Sequence, residues 1–131
     1  TENKQGERQE FYAEGEGIQV PMTVLVNEYS ASASELLCGA LKERNVATVV
    51  GTTTFGKGIV QTTWSMSDGT AYKMTTAKYY TPNGNNIHGT GITPDIPIDL
   101  TEEQKQMSEI PEEEDMQLQT ALEVIRTDIG E

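Results

Sequence analysis

Cysteine, histidine and basic residues are scarce in this chain, and each shortage removes a class of explanation. The single cysteine, Cys38, cannot form an internal disulfide. It lies among Leu36, Leu37, Ala40 and Leu41, a setting that suits a buried, unreactive thiol, so cysteine usage leaves the compartment open. The single histidine, His88, sits in a polar loop with no cysteine or patterned carboxylates beside it. That speaks against a metal centre and against a Ser-His-Asp triad, and no cofactor is expected. Nine Lys and Arg stand against 21 Asp and Glu, a net charge of −12. Such a surface repels phosphate backbones, so nucleic acid is not an expected partner. No apolar run approaches the ~18 residues of a membrane span, and no signal-peptide pattern is present. The chain starts without methionine and is expected to be a piece of a longer protein, so the missing signal says nothing about where the parent resides.

What is present fits one domain with a modest core: 131 residues, 35% of them apolar. Residues 8–13 suggest an edge strand. Residues 21–26 are a short apolar run that reads as a buried strand of a parallel sheet. A helix is expected over residues 32–44. Ser32 and Glu35 fit a Ser-x-x-Glu capping box, and Ala33, Leu36, Leu37, Ala40 and Leu41 make one apolar face, with Asn45 ending the helix. Residues 46–50 read as a second buried strand, completing a βαβ unit of about thirty residues.

The Gly56-Lys57-Gly58 turn leads into two strand-like runs, residues 59–66 and 70–80, joined by a Ser67-Asp68-Gly69 turn as a hairpin. Pro94 and Pro97 make residues 89–100 an extended edge segment. Residues 101–115 read as a solvated acidic linker. A helix follows from Met116, with Leu118, Ala121, Leu122 and Ile125 on one stripe.

The chemistry-bearing residues cluster in two stretches. One is Asn27-Glu28-Tyr29-Ser30-Ala31-Ser32-Ala33-Ser34-Glu35, just after a strand and opening a helix. There, backbone amides and the helix dipole can stabilise an oxyanion. By placement alone Ser30, Ser32 and Ser34 are all candidate nucleophiles, and the plain reading of Ser32 is an N-cap. The other stretch is Thr54-Phe55-Gly56-Lys57-Gly58-Ile59-Val60-Gln61. A serine needs a base, and a lysine serves if burial keeps it neutral. Lys57, among Phe55, Ile59 and Val60 and flanked by glycines, is the best-placed lysine; its plain reading is a surface lysine in a turn. Lys57 and Gln61, four apart, would share a face if both lay in one strand.

These two stretches are followed by Asp68-Gly69-Thr70-Ala71-Tyr72-Lys73-Met74-Thr75-Thr76-Ala77-Lys78-Tyr79-Tyr80-Thr81-Pro82-Asn83-Gly84 and by Gly91-Ile92-Thr93-Pro94-Asp95. Together, in register over residues 20–100, they resemble the carboxy-terminal processing peptidases (tail-specific proteases, peptidase family S41). The resemblance implies an α/β fold of the crotonase/ClpP type, built of ββα units, which agrees with the βαβ unit and the C-terminal helix. It implies a serine endopeptidase that cleaves proteins near or from their C-termini, favouring apolar, unstructured tails held as an added strand. Ser32 would be the nucleophile, Lys57 the general base and Gln61 its orienting partner, and the Ala33 amide would contribute to the oxyanion hole.

In the family, a PDZ-like module and a second oxyanion donor lie upstream, and neither is found before Pro21. Residues 1–100 therefore read as part of a catalytic core, with residues 101–131 as acidic linker and helix, and the isolated chain is expected to be weakly active or inactive. Family habit implies an extracytoplasmic enzyme, membrane-anchored or secreted. Exposed sheet edges make pairing with a second copy a further expectation. Two other readings share the fold: a non-catalytic relative that binds peptides at a sheet edge, and a crotonase-type acyl-thioester enzyme. Coenzyme A binding would mark the latter, although no glycine-rich phosphate loop is present and the surface is acidic.

Overall fold

In the computed structural model, which describes residues 1–130, the chain opens with a two-residue strand, β1 (Glu2–Asn3). It reaches β2 (Thr23–Val26) only after a long irregular stretch. The edge strand expected at residues 8–13 does not form. Only Arg8 makes an isolated bridge, back to Glu2, and Phe11 and Tyr12 beyond it are exposed with no strand to pair with. A single turn of contacts cannot offset the entropy of ordering so glycine-spotted a segment as a strand.

The βαβ unit forms as expected. Helix α1 (Ala33–Glu43) connects β2 to β3 (Thr48–Gly51), and the two strands pair in parallel from Thr23–Thr48 to Val26–Gly51. Asn45 takes a left-handed conformation (φ 55) and closes the helix end, its N–H donating to Lys42 O at 2.9 Å. The β2 run is less buried than its composition suggests, since Leu25 points outward and is exposed.

Two antiparallel strands follow, β4 (Ile59–Ser65) and β5 (Ala71–Lys78), the expected hairpin. Beyond them β6 (Ile96–Pro97) adds in parallel to β3 as the short proline-bearing edge. Two three-stranded sheets result, in the orders β1-β5-β4 and β2-β3-β6. The acidic segment is less free than a solvated linker. It holds a 3₁₀ turn at Gln104–Gln106, and Lys105 pairs with Asp99 at 2.8 Å and Glu102 at 3.0 Å. Helix α2 (Met116–Ile129) starts on Asp115, whose carboxylate accepts the Leu118 N–H at 3.0 Å, and ends on left-handed Gly130. Its stripe of Leu118, Ala121, Leu122 and Ile125 is the less exposed side, with Ala121 buried, and the helix packs on β2 and β3.

The core gathers Val26, Val49, Cys38, Tyr79, Ile87 and Ile92, with Val24, Leu36 and Val60 packed on it. Each such apolar side chain contributes roughly 1.5–3 kcal/mol by leaving water. Cys38 is the buried free thiol expected, and burial pushes its pKa up, so it is held as an inert thiol. The buried face of α1 differs from the apolar one read from spacing. Glu35, Cys38 and Gly39 face inward, while Leu37 is 61% exposed. A helix turns its carboxylate inward only where donors wait for it, and that is the case here.

Candidate active site

The corner between β2 and α1 is built from short polar side chains. Asn27 Oδ1 accepts the Tyr29 N–H at 3.0 Å, and Ser30 Oγ accepts the Asn27 N–H at 3.1 Å. These local bonds fold the chain back after the strand. Ser30 is thereby occupied in the turn. Two residues on, Ser32 adopts φ 59 and ψ −115, a conformation that residues with a Cβ avoid. Such a backbone costs of order 1–3 kcal/mol and persists only where its surroundings fix it.

Glu35 does the fixing. It is wholly buried, and its two oxygens receive four hydrogen bonds. Oε2 accepts the Ser32 N–H at 2.8 Å and the Lys57 N–H at 2.8 Å. Oε1 accepts the Thr54 hydroxyl at 2.5 Å and the Gly56 N–H at 2.7 Å. The capping box read from sequence is present, and it is only part of Glu35's role. Burial pushes the Glu35 pKa up, but the bonds from Thr54, Lys57, Gly56 and Ser32 outweigh it and hold the carboxyl below its ordinary value. The charged form is the one the site stabilises.

The lysine loop is therefore bonded to the serine corner through one carboxylate. A fifth bond, from the Phe55 N–H to Ser30 O at 3.0 Å, joins the same two pieces. Behind the loop, residues 87–91 supply a backbone floor. A Cβ on Gly58 would lie 2.5 Å from His88 N, and one on Gly91 (φ +70) would lie 2.2 Å from Thr54 O. Only glycine allows either approach. Thr54 Oγ1 also accepts the Ile92 N–H at 2.7 Å, so the floor, the loop and Glu35 share hydrogen bonds.

The structure places the sequence-derived site residues unevenly. Ser32 and the backbone of Lys57 are brought together by Glu35. The Ala33 N–H, first of the helix, has no hydrogen-bond partner among the described residues and opens to solvent, as the first amides of a helix do. The strand argument linking Lys57 to Gln61 does not hold. Lys57 precedes β4, and a bulge at Val60/Gln61 breaks the alternation between them. Gln61 is exposed, and no hydrogen bond between it and Lys57 occurs among the described residues. The apolar surroundings expected for Lys57 are also thinner than spacing suggested, because Phe55 is 66% exposed and the lysine half-buried. His88 is exposed, its backbone against Gly58. Asp95 pairs with Lys42 at 2.7 Å and accepts the Val49 N–H at 2.9 Å, fastening α1 to β3. It is a structural clamp.

Two buried residues were missed by sequence reasoning as parts of this region, Glu35 as more than a cap and Thr54. Their signal was present in the pairing of Ser-x-x-Glu with Thr-x-Gly-Lys, but nothing in spacing says that the two motifs meet.

The chain is similar to known proteins over most of its length. The model of peptidase family S41 matches residues 1–98. A carboxyl-terminal-processing protease of Synechocystis is 44% identical over 128 residues, 95% of this chain and 29% of that protein. A probable CtpA-like serine protease of Staphylococcus aureus is 54% identical over 84 residues, 64% of this chain and 17% of that protein. The chain thus spans less than a third of the length of these curated relatives. Among solved structures, the photosystem II D1 C-terminal processing protease is similar with a TM-score of 0.57 and 47% identity, over 60% of this chain and 20% of that one. An S41 protease from Bacteroides fragilis shares the fold at a TM-score of 0.60 and 16% identity, over 82% of this chain and 27% of its own.

Proposed function

Because the chain belongs to peptidase family S41, we propose that it carries the nucleophile and the base of a serine peptidase that processes protein C-termini. In this reading Lys57, as the free amine, takes the Ser32 proton while Ser32 Oγ attacks the scissile carbonyl. The Ala33 N–H, at the positive end of α1, donates to the oxyanion as it forms. The protonated lysine then returns its proton to the leaving amine, and water hydrolyses the acyl-enzyme with Lys57 again as base. Gln61 would orient the lysine, which requires the β4 bulge or the lysine side chain to rearrange. The supporting observation is Ser32 itself: a strained serine at a strand-to-helix corner, tied by Glu35 to the lysine loop.

The substrates proposed are proteins with unstructured C-terminal tails, by analogy with the names of the relatives. β2 and β4 are edge strands of their sheets, one leading into the serine corner and the other out of the lysine loop. A tail added as a strand to either edge would reach the dyad. The crotonase/ClpP-type arrangement, an upstream PDZ-like module and an extracytoplasmic setting belong to the same proposal.

The test uses the full-length protein and an unstructured substrate with an apolar tail. Cleavage is expected to fall about a thousandfold or more in both Ser32→Ala and Lys57→Ala. Binding without cleavage would instead mark a peptide-binding relative.

A further inference from the structure

Tyr79 lies just past β5 and is only 4% exposed, yet its hydroxyl, fully enclosed, has no hydrogen-bond partner among the described residues. Buried hydroxyls are nearly always paired, and an orphan of this kind calls for an explanation. The ring packs in the core beside Val26, Cys38, Val49, Ile87 and Ile92. The backbone is fixed to the residue after the lysine. The Tyr79 N–H donates to Gly58 O at 3.2 Å, and Asn86 Nδ2 bridges Tyr79 O at 2.7 Å and Gly58 O at 3.0 Å. Tyr79 is thus held beside the lysine loop, and its ring shares the core with Val26, at the end of β2, and Cys38, on α1, the two elements that flank the serine corner. Burial pushes the phenol pKa up, the Glu35 carboxylate adds to the rise, and the Ser32 side chain pulls it down. A phenol so placed stays protonated and is a donor in search of an acceptor.

We propose that Tyr79 is a positioning residue for the nucleophile, its O–H donating to Ser32 Oγ once that side chain turns toward the base. The bond would occupy one lone pair of Oγ and leave the serine proton aimed at Lys57. As the proton moves, charge grows on Oγ and the bond strengthens, so the effect falls on the chemical step. Tyr79 keeps its own proton throughout. Ser30 Oγ already accepts the Asn27 N–H at 3.1 Å, so of these two serines Ser32 is the one left to take the phenol's bond.

This inference rests on the peptidase reading above, and its test separates the two. In the full-length protein, Tyr79→Phe keeps the ring and removes only the oxygen. The thermal midpoint is expected to stay level or rise, because an unpaired buried hydroxyl is lost. With a tail substrate, kcat is expected to fall about tenfold to a hundredfold while KM holds. A stable Tyr79→Phe variant with wild-type kcat, or with a change in KM alone, would overturn the positioning role and leave the peptidase reading intact. A wild-type protein no more active than Ser32→Ala would overturn both.

Discussion

The serine corner and the β4–β5 hairpin are neighbours in sequence but are held by different physics. At the corner, few side chains are large and apolar. Its order comes from one buried carboxylate with four donors, from glycines that let backbones touch, and from a strained serine that these contacts hold in place. The hairpin is the reverse. Its strands are almost wholly exposed, their register is carried by backbone pairing, and the stacked Trp64 and Tyr72 rings, 5.2 Å apart, are its main side-chain contact. The corner is braced by hydrogen bonds made inside it. Among the described residues, β4 is an edge strand of its sheet.

This contrast can be broken from the corner outward. Glu35→Ala should have the largest effect, since it strands three backbone amides and the Thr54 hydroxyl at once. A loss of about 3–5 kcal/mol is expected in chemical denaturation, with cleavage abolished. Gly58→Ala should cost about 2–3 kcal/mol, because the added carbon meets the His88 backbone rather than a side chain that can yield.

Acid acts on the same contact. The folded protein holds the Glu35 carboxyl below its ordinary value, so this contribution to stability is complete above the ordinary carboxylate range. It is lost as pH falls through and below that range. Denaturation measured from pH 7 down to pH 3 should show this slope, and Glu35→Gln should flatten it. The smallest effect belongs to the hairpin: Trp64→Ala should cost only about 1 kcal/mol, because the ring is partly exposed and loses mainly one stacking partner. A Trp64→Ala loss as large as that of Glu35→Ala would erase the distinction between the two regions.

Local rules made much of this fold legible. The βαβ unit, the hairpin at Asp68-Gly69, the edge segment at Pro97 and the cap at Asn45 all follow from periodicity and turn chemistry, and they formed. The failures were long-range. Spacing put Leu37 on the helix's inner face because it counts apolar residues. It could not see that Glu35, charged and therefore read as solvated, faces the amides of a loop more than twenty positions away. The same blindness hid the bulge between Lys57 and Gln61, which alternation treats as regular strand. At the site, residue types and motifs pointed to Ser32 and Lys57 through family resemblance. The reason that the serine corner and the lysine loop are bonded together, through Glu35, was not in either motif alone.

The central claim, that the Glu35-braced corner makes Ser32 the nucleophile and Lys57 its base, is tested most directly by covalent labelling. The full-length protein would be treated with a fluorophosphonate and the modified residue mapped by mass spectrometry, in wild type and in Lys57→Ala. The label is expected on Ser32, not on Ser30 or Ser34, and is expected to disappear when Lys57 is removed. Labelling at either neighbouring serine, or labelling of Ser32 at an undiminished rate in Lys57→Ala, would contradict the account.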